Sequence, residues 1–134
     1  MTTTATPHGR SAVLPEPAPH EIRLECVLHA LADPVRLRIV ADLAAAEGEL
    51  NCLAIDVPVT KSTSTHHFRV LREAGVIRQV RRGTSKMNSL RREELGALFP
   101  GLLDSVIAGA ARQRGDAGDA GEHEDAGERH LEEA

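Results

Sequence analysis

Apolar residues recur at helical spacing along most of this chain. Ile22, Val27, Leu28 and Leu31 predict a helix over 20–31, stopped at "ADP". There Asp33 is an N-cap and Pro34 takes the first helical position. The second helix runs to about Ala46 on Val35, Leu37, Ile39, Val40 and Leu43, and Gly48 ends it. A short third helix fits 51–56, and Val57-Pro58-Val59 is a turn. Thr60 caps a fourth helix over 61–74, with Gly75 at its C-terminal end. In 76–90 two short runs flank Arg82-Gly83-Thr84, a hairpin signal with glycine where positive φ is needed. Helix returns from Arg91 and breaks at Pro100, which opens a fresh helix of Leu102, Leu103, Val106, Ile107 and Ala110.

The predicted order is α-α-α-α-β-β-α, mainly α with a small β-hairpin. Helices three and four, joined by a tight turn, form a helix-turn-helix, and the hairpin is its wing. The ends differ in composition. Residues 1–19 are Thr- and Pro-rich, with prolines at 7, 15, 17 and 19. Residues 114–134 are Gly/Ala/acidic, with Leu131 as one large aliphatic residue. The expected division is a disordered arm at 1–19, a winged helix-turn-helix domain at 20–113 and a disordered acidic tail at 114–134.

Charge sharpens this reading. The net charge is −4, but 115–134 holds eight acidic residues against Arg129, or −7, which leaves +3 on the rest. Between Thr60 and Arg92, nine basic residues face one acid, Glu73. A segment so dense in one sign suits a polyanion, because neutralising phosphates releases counterions. A merely solvated face interleaves both signs. Single-strand binders stack bases on aromatic rings. With no Trp or Tyr and only Phe68 and Phe99, this chain points to duplex DNA.

Other classes recede. No basic n-region precedes an apolar run near the start, and no apolar stretch reaches the roughly 20 residues of a membrane span. A soluble cytoplasmic protein is expected. Two cysteines, Cys26 and Cys52, are too few for a disulfide framework, and each reads as a small buried apolar side chain. No nucleophile is placed beside a base, so no enzymatic activity and no cofactor are expected.

The "KSTSTHHFRVLREAG" segment separates into two faces at 100° per residue. Ser64, His67, Phe68, Leu71 and Ala74 face inward. Ser62, Thr65, His66, Arg69 and Glu73 face outward, with Lys61 and Arg72 at the flank. His67 is therefore structural and His66 meets DNA. Two metal-binding histidines on one helix prefer i, i+4 spacing, which this pair lacks. Lys61, Ser62, Thr65 and His66 are expected at the major groove, Arg69 and Arg72 at the backbone, and Thr60 and Thr63 are also expected among the DNA-binding residues. Arg78, Arg81, Arg82 and Lys86 complete the basic set. Arg81, Arg82 and Lys86 at the wing would reach phosphates or the adjacent minor groove.

The segments "LADPVRLRIVADL", "KSTSTHHFRVLREAGVI" and "RQVRRGTSKMNSL" resemble the ArsR-type (arsenic-repressor-like) bacterial winged-helix regulators over about 21–111. The resemblance implies a homodimer, paired through the first and last helices, on a two-fold-symmetric operator of double-stranded DNA. It also implies a repressor released by an effector. Ile22, Leu102, Leu103, Val106, Ile107 and Ala110 would form the dimer interface, and the last helix is more apolar than a small monomer needs exposed. The chain departs from the soft-metal sensors of that family. In "GELNCLAID", Asn51 and Leu53 occupy the two cysteine positions, with Cys52 between them. Residues 91–114 hold no His, unlike the zinc and nickel type, and His123 and His130 sit in the acidic tail. No metal site is therefore assigned. Cys26, His29 and Cys52 remain weak candidates for a thiol or metal sensor. A winged-helix protein-interaction module and a metal-buffering tail are the alternatives, the effector is unassigned, and the tail could compete with DNA for the basic face.

Overall fold

The structure, a computed structural model, describes residues 11–46, 48–55 and 57–122. Its elements run β1 (Ser11–Val13), a 3-10 turn (Pro19–Glu21), α1 (Leu24–Leu31), α2 (Pro34–Ala46), β2 (Leu50–Asn51) and a second 3-10 turn (Cys52–Ala54). Then come α3 (Lys61–Ala74), β3 (Ile77–Arg82), β4 (Ser85–Leu90), α4 (Arg92–Leu98) and α5 (Leu102–Glu122). The winged helix-turn-helix architecture holds.

Local signals fix the central helices. Asp33 accepts hydrogen bonds from the amides of Val35 (2.9 Å) and Arg36 (3.1 Å), which satisfies two orphan donors of α2. Thr60 caps α3 by accepting from the Thr63 amide at 3.3 Å. At the other end Gly75 has φ 90° and donates to the carbonyls of Arg72 and Leu71. A Cβ on Gly75 would stand 2.7 Å from the Ile22 side chain. Glycine is thus required there for backbone shape and for close packing.

The sheet has the order β1-β3-β4-β2, with β3 and β4 forming the wing around Gly83 at φ 63°. α3 packs against α1, α2 and β3, and α5 packs against α2 and α4. Ile39, Leu43, Leu71, Ile77, Leu95, Val27, Val40 and Val76 fill the core between these layers. No single helix among the described residues is long and apolar enough to cross a membrane.

Four expectations change. The third helix is one 3-10 turn, because Leu50 and Asn51 pair with Asn88 and Met87 on β4. The few residues left before Pro58 cannot complete two α-turns, and proline also disfavours helix at Val57. The first helix is split by the extended Ile22, so α1 starts at Leu24. The arm is ordered from Ser11: β1 adds to the outer edge of the wing, with Ser11 opposite Arg82 and Val13 opposite Val80. Residues 1–10 lie outside the described residues. The tail expected from 114 is helical as far as Glu122, while His123, His130 and the rest of 123–134 lie outside the described residues.

Part of the apolar face of α5, expected at a dimer interface, is covered by this chain itself. Ile22, Leu103 and Ala110 are buried within the single chain, and Leu102, Val106 and Ile107 pack against its core. The cause is that α5 covers this chain's own α2 and α4. The apolar residues left exposed on helices include Leu24 (43%) and Leu28 (46%), one turn apart on α1.

Candidate nucleic-acid interface

Recognition-helix geometry starts from α2. Arg36, buried at 8% exposure, donates from Nε to the Ala30 carbonyl at 2.6 Å and from Nη2 to the His29 carbonyl at 3.5 Å. It thereby satisfies the orphan carbonyl of Ala30 at the end of α1, and adds to the Ala32 amide that the His29 carbonyl already accepts. Its Nη1 lies 3.0 Å from Nδ1 of His67 on α3. Arginine cannot accept, so His67 Nδ1 accepts and the ring is neutral with its proton on Nε2. Burial lowers the His67 pKa first; Asp33, 3.8 Å away, pulls it upward, while Arg36 and His66 push it down. The net shift is downward, in accord with the Arg36 hydrogen bond. Burial pushes the Asp33 carboxyl up, but the Arg36 amide, the Arg36 charge, the attraction of His67 when its ring is protonated and the Val35 amide outweigh it and hold the pKa low. His67 is thus inward and structural. Arg36, which organises the contact, escaped the sequence reading because periodicity marks only apolar positions.

The sign of the resulting pH dependence follows. The unfolded chain protonates His67 near the ordinary value of 6.5, and the folded chain does so only at lower pH. The stability contribution is present above 6.5 and is lost as pH falls through the folded value. Urea denaturation at about pH 7.5 and about pH 5.5 is expected to show a smaller acid-side loss in His67→Gln than in the wild type. Equal losses would contradict this role for His67.

A second polar chain ties α3 to the wing. Arg72 donates to Gln79 Oε1 at 2.7 Å, and Gln79 Nε2 donates to Asn88 Oδ1 at 2.8 Å. Asn88 then donates to the Leu50 carbonyl and the Cys52 sulfur, each at 3.1 Å. Gln79 and Asn88 are buried and bond each other, as buried amides require. Arg72, expected at the DNA backbone, is turned toward the domain by this bond.

Two more expected DNA contacts have other partners. Arg78 binds both oxygens of Glu16, with its shortest contact at 3.0 Å, and binds Glu94 at 3.2 Å. The hydrogen bond to Glu16 is the first cause of its raised pKa. Buried Arg91 donates to the Pro17 carbonyl at 2.8 Å and lies 3.5 Å from Glu94. Together they clasp residues 16–17 onto β3 and α4. Arg82 pairs with Glu49 at 2.9 Å, so its charge is already opposed. A count of charges along the chain could not reveal these acids, which come from outside the basic segment.

The residues that remain outward form the candidate site. Thr60, Lys61, Ser62, Thr63, Thr65, His66 and Arg69 are exposed on or next to the first half of α3. Thr60 acts as the cap, the Thr65 hydroxyl donates to the Lys61 carbonyl at 3.0 Å, and Arg69 lies 3.4 Å from the His66 ring. On the wing, Arg81 stands directly opposite Lys86. Like charges in that register repel. Among the described residues, Lys61, Arg81 and Lys86 have no carboxylate within ion-pair distance.

Arg81→Ala is expected to reduce the salt slope of DNA binding by about one, whereas Arg78→Gln leaves the slope unchanged and lowers stability. Titrations at several salt concentrations, with melting curves for each variant, distinguish the two. A loss of slope in Arg78→Gln would return it to the DNA-contacting set.

The thiol and metal candidates do not converge. Cys26 is exposed on α1, contrary to its expected burial, and Cys52 is half-buried beside Asn88. Among the described residues, no group of three or more His, Cys, Asp or Glu side chains is arranged to hold a metal ion, so Cys26, His29 and Cys52 form none.

Comparison with known proteins agrees with this geometry. A helix-turn-helix domain family matches residues 31–80, from the end of α1 to the middle of β3. YceK of Bacillus subtilis (strain 168), an uncharacterized HTH-type transcriptional regulator, is 32% identical over 82 residues. The alignment covers 60% of this chain and 82% of that protein.

Proposed function

This chain belongs to the HTH-type transcriptional regulators, and we propose that it is an ArsR-type repressor that binds a specific operator as a homodimer. DNA-binding transcriptional regulation is the family's function, and its members are typically non-enzymatic. The particular reading rests on the first half of α3 entering the major groove and the wing meeting phosphates. The single observation that carries it is the cation set Lys61, Arg81 and Lys86, which has no carboxylate partner among the described residues. Phosphates supply that partner, while Ser62, Thr63, Thr65 and His66 offer groups for base edges and Arg69 for the backbone.

Two-fold pairing would use the exposed Leu24 and Leu28 of α1 together with the outer surface of α5, rather than the α5 residues buried in this chain. Release would come from an effector, and the protein would work in the cytoplasm. A mobility shift on the DNA upstream of its own gene, followed by selection from random duplexes, tests the proposal. Enrichment of one two-fold-symmetric sequence supports it. An absence of sequence preference in both would favour a module that docks an acidic protein.

A further inference from the structure

A cavity of about 290 Å³ lies between the start of α2, the turn into α3 and the second half of α5. Val35, Leu37 and Ala110 form apolar wall, and Pro58 of the turn closes one side. The volume is near the lower end for small-molecule sites, which are mostly apolar with a few placed polar groups. The polar groups here include two guanidinium groups, Arg38 and Arg114. Both address one carboxylate: Asp42 lies 3.6 Å from Arg38 Nε and 3.3 Å from Arg114 Nη1. Two cations sharing one anion leave a positive charge at the rim. Among the described residues, most of the N–H donors on the two forks also have no partner.

We propose that this cavity binds a small apolar carboxylic acid, its hydrocarbon part against Val35, Leu37 and Ala110 and its carboxylate on Arg38 and Arg114. The guanidinium fork matches a carboxylate in shape and charge. The site is also placed to govern DNA binding, an inference that rests on the repressor reading above. Pro58 stands two residues before Thr60, the cap of the recognition helix. Val35 and Leu37 flank Arg36, which holds His67 of that helix. An occupant therefore touches both the turn that starts α3 and the helix that orients it. It shifts operator affinity to the extent that it binds the free and DNA-bound forms unequally.

Calorimetry on the full chain with decanoate, naphthoate and the neutral analogue decanamide tests the site. At least one acid is expected to bind one per chain, roughly tenfold more tightly than decanamide. The Arg38→Gln/Arg114→Gln double variant is expected to lose roughly tenfold in affinity, while Arg112→Gln, outside the cavity, binds as the wild type does. Melting curves of the double variant separate loss of the site from loss of the fold. Binding of neither acid, or equal affinity for amide and acid, overturns the proposal, as does unchanged affinity in a folded double variant. The bound acid is also expected to weaken operator binding by the factor by which operator weakens acid binding. Acid binding with unchanged operator affinity overturns the regulatory half. A wild type that binds no operator without acid fails the repressor reading, while the calorimetry still decides the cavity.

Discussion

Arg36→Met is expected to lower the folding stability by about 3 kcal/mol, a large share of the roughly 5–15 kcal/mol that holds a domain together. Methionine keeps the length of the aliphatic stem, so the loss reports the guanidinium. Its removal leaves the carbonyl of Ala30 and the ring of His67 without this donor, while the carbonyl of His29 keeps the Ala32 amide. Buried polar groups left unsatisfied cost about 1–3 kcal/mol each before relaxation. Arg38→Met, at an exposed neighbouring position, is expected to stay within about 0.5 kcal/mol of the wild type. Urea denaturation of both variants measures the difference. A change below about 1 kcal/mol in Arg36→Met would show that water replaces the guanidinium there. The variant is also expected to bind DNA less well while still folded, because His67 then loses the contact that fixes α3 on α2.

Lys61→Glu/Arg69→Glu is expected to reduce operator affinity by about two orders of magnitude at low salt, with little change in melting temperature. Both side chains are exposed on α3, so the fold does not depend on them. If both side chains meet phosphates as proposed, reversal removes two attractions and adds two repulsions. Fluorescence anisotropy on a labelled operator duplex reads the loss. A tenfold change or less would move the contact surface away from the first half of α3.

The parts of the fold legible in the sequence are those specified by neighbours. Asp33 and Pro34 start α2, Thr60 and Gly75 bound α3, and Gly83 turns the wing, each acting within a few residues. The elements that escaped depend on distant partners. Leu50 and Asn51 become a strand because β4 lies beside them, and Asn88 reaches back 38 residues to the Leu50 carbonyl. Ser11 to Val13 is ordered by the free edge of β3, which no local pattern in a Pro-rich stretch announces.

The candidate site divides in the same way. The helical wheel placed His66 outward and His67 inward because direction along a helix depends on spacing alone. It could not say that Arg72 is held by Gln79, Arg78 by Glu16 and Glu94, or Arg82 by Glu49. A basic run reads as a surface awaiting phosphate until folding brings the acids. The apolar stripe of α5 was ambiguous for a related reason. Periodicity shows that a face is covered, but not whether the same chain or a second copy covers it.

The central claim is that the exposed first half of α3 and the cations of the wing bind duplex DNA through phosphates. Its most direct test is the affinity for the selected operator duplex, measured from about 50 to about 200 mM salt. Lys61, Arg69, Arg81 and Lys86 should make the logarithm of the association constant fall against that of salt with a slope of about −3 to −4 per chain. An affinity independent of salt, or equal for the duplex and its single strands, would contradict the claim.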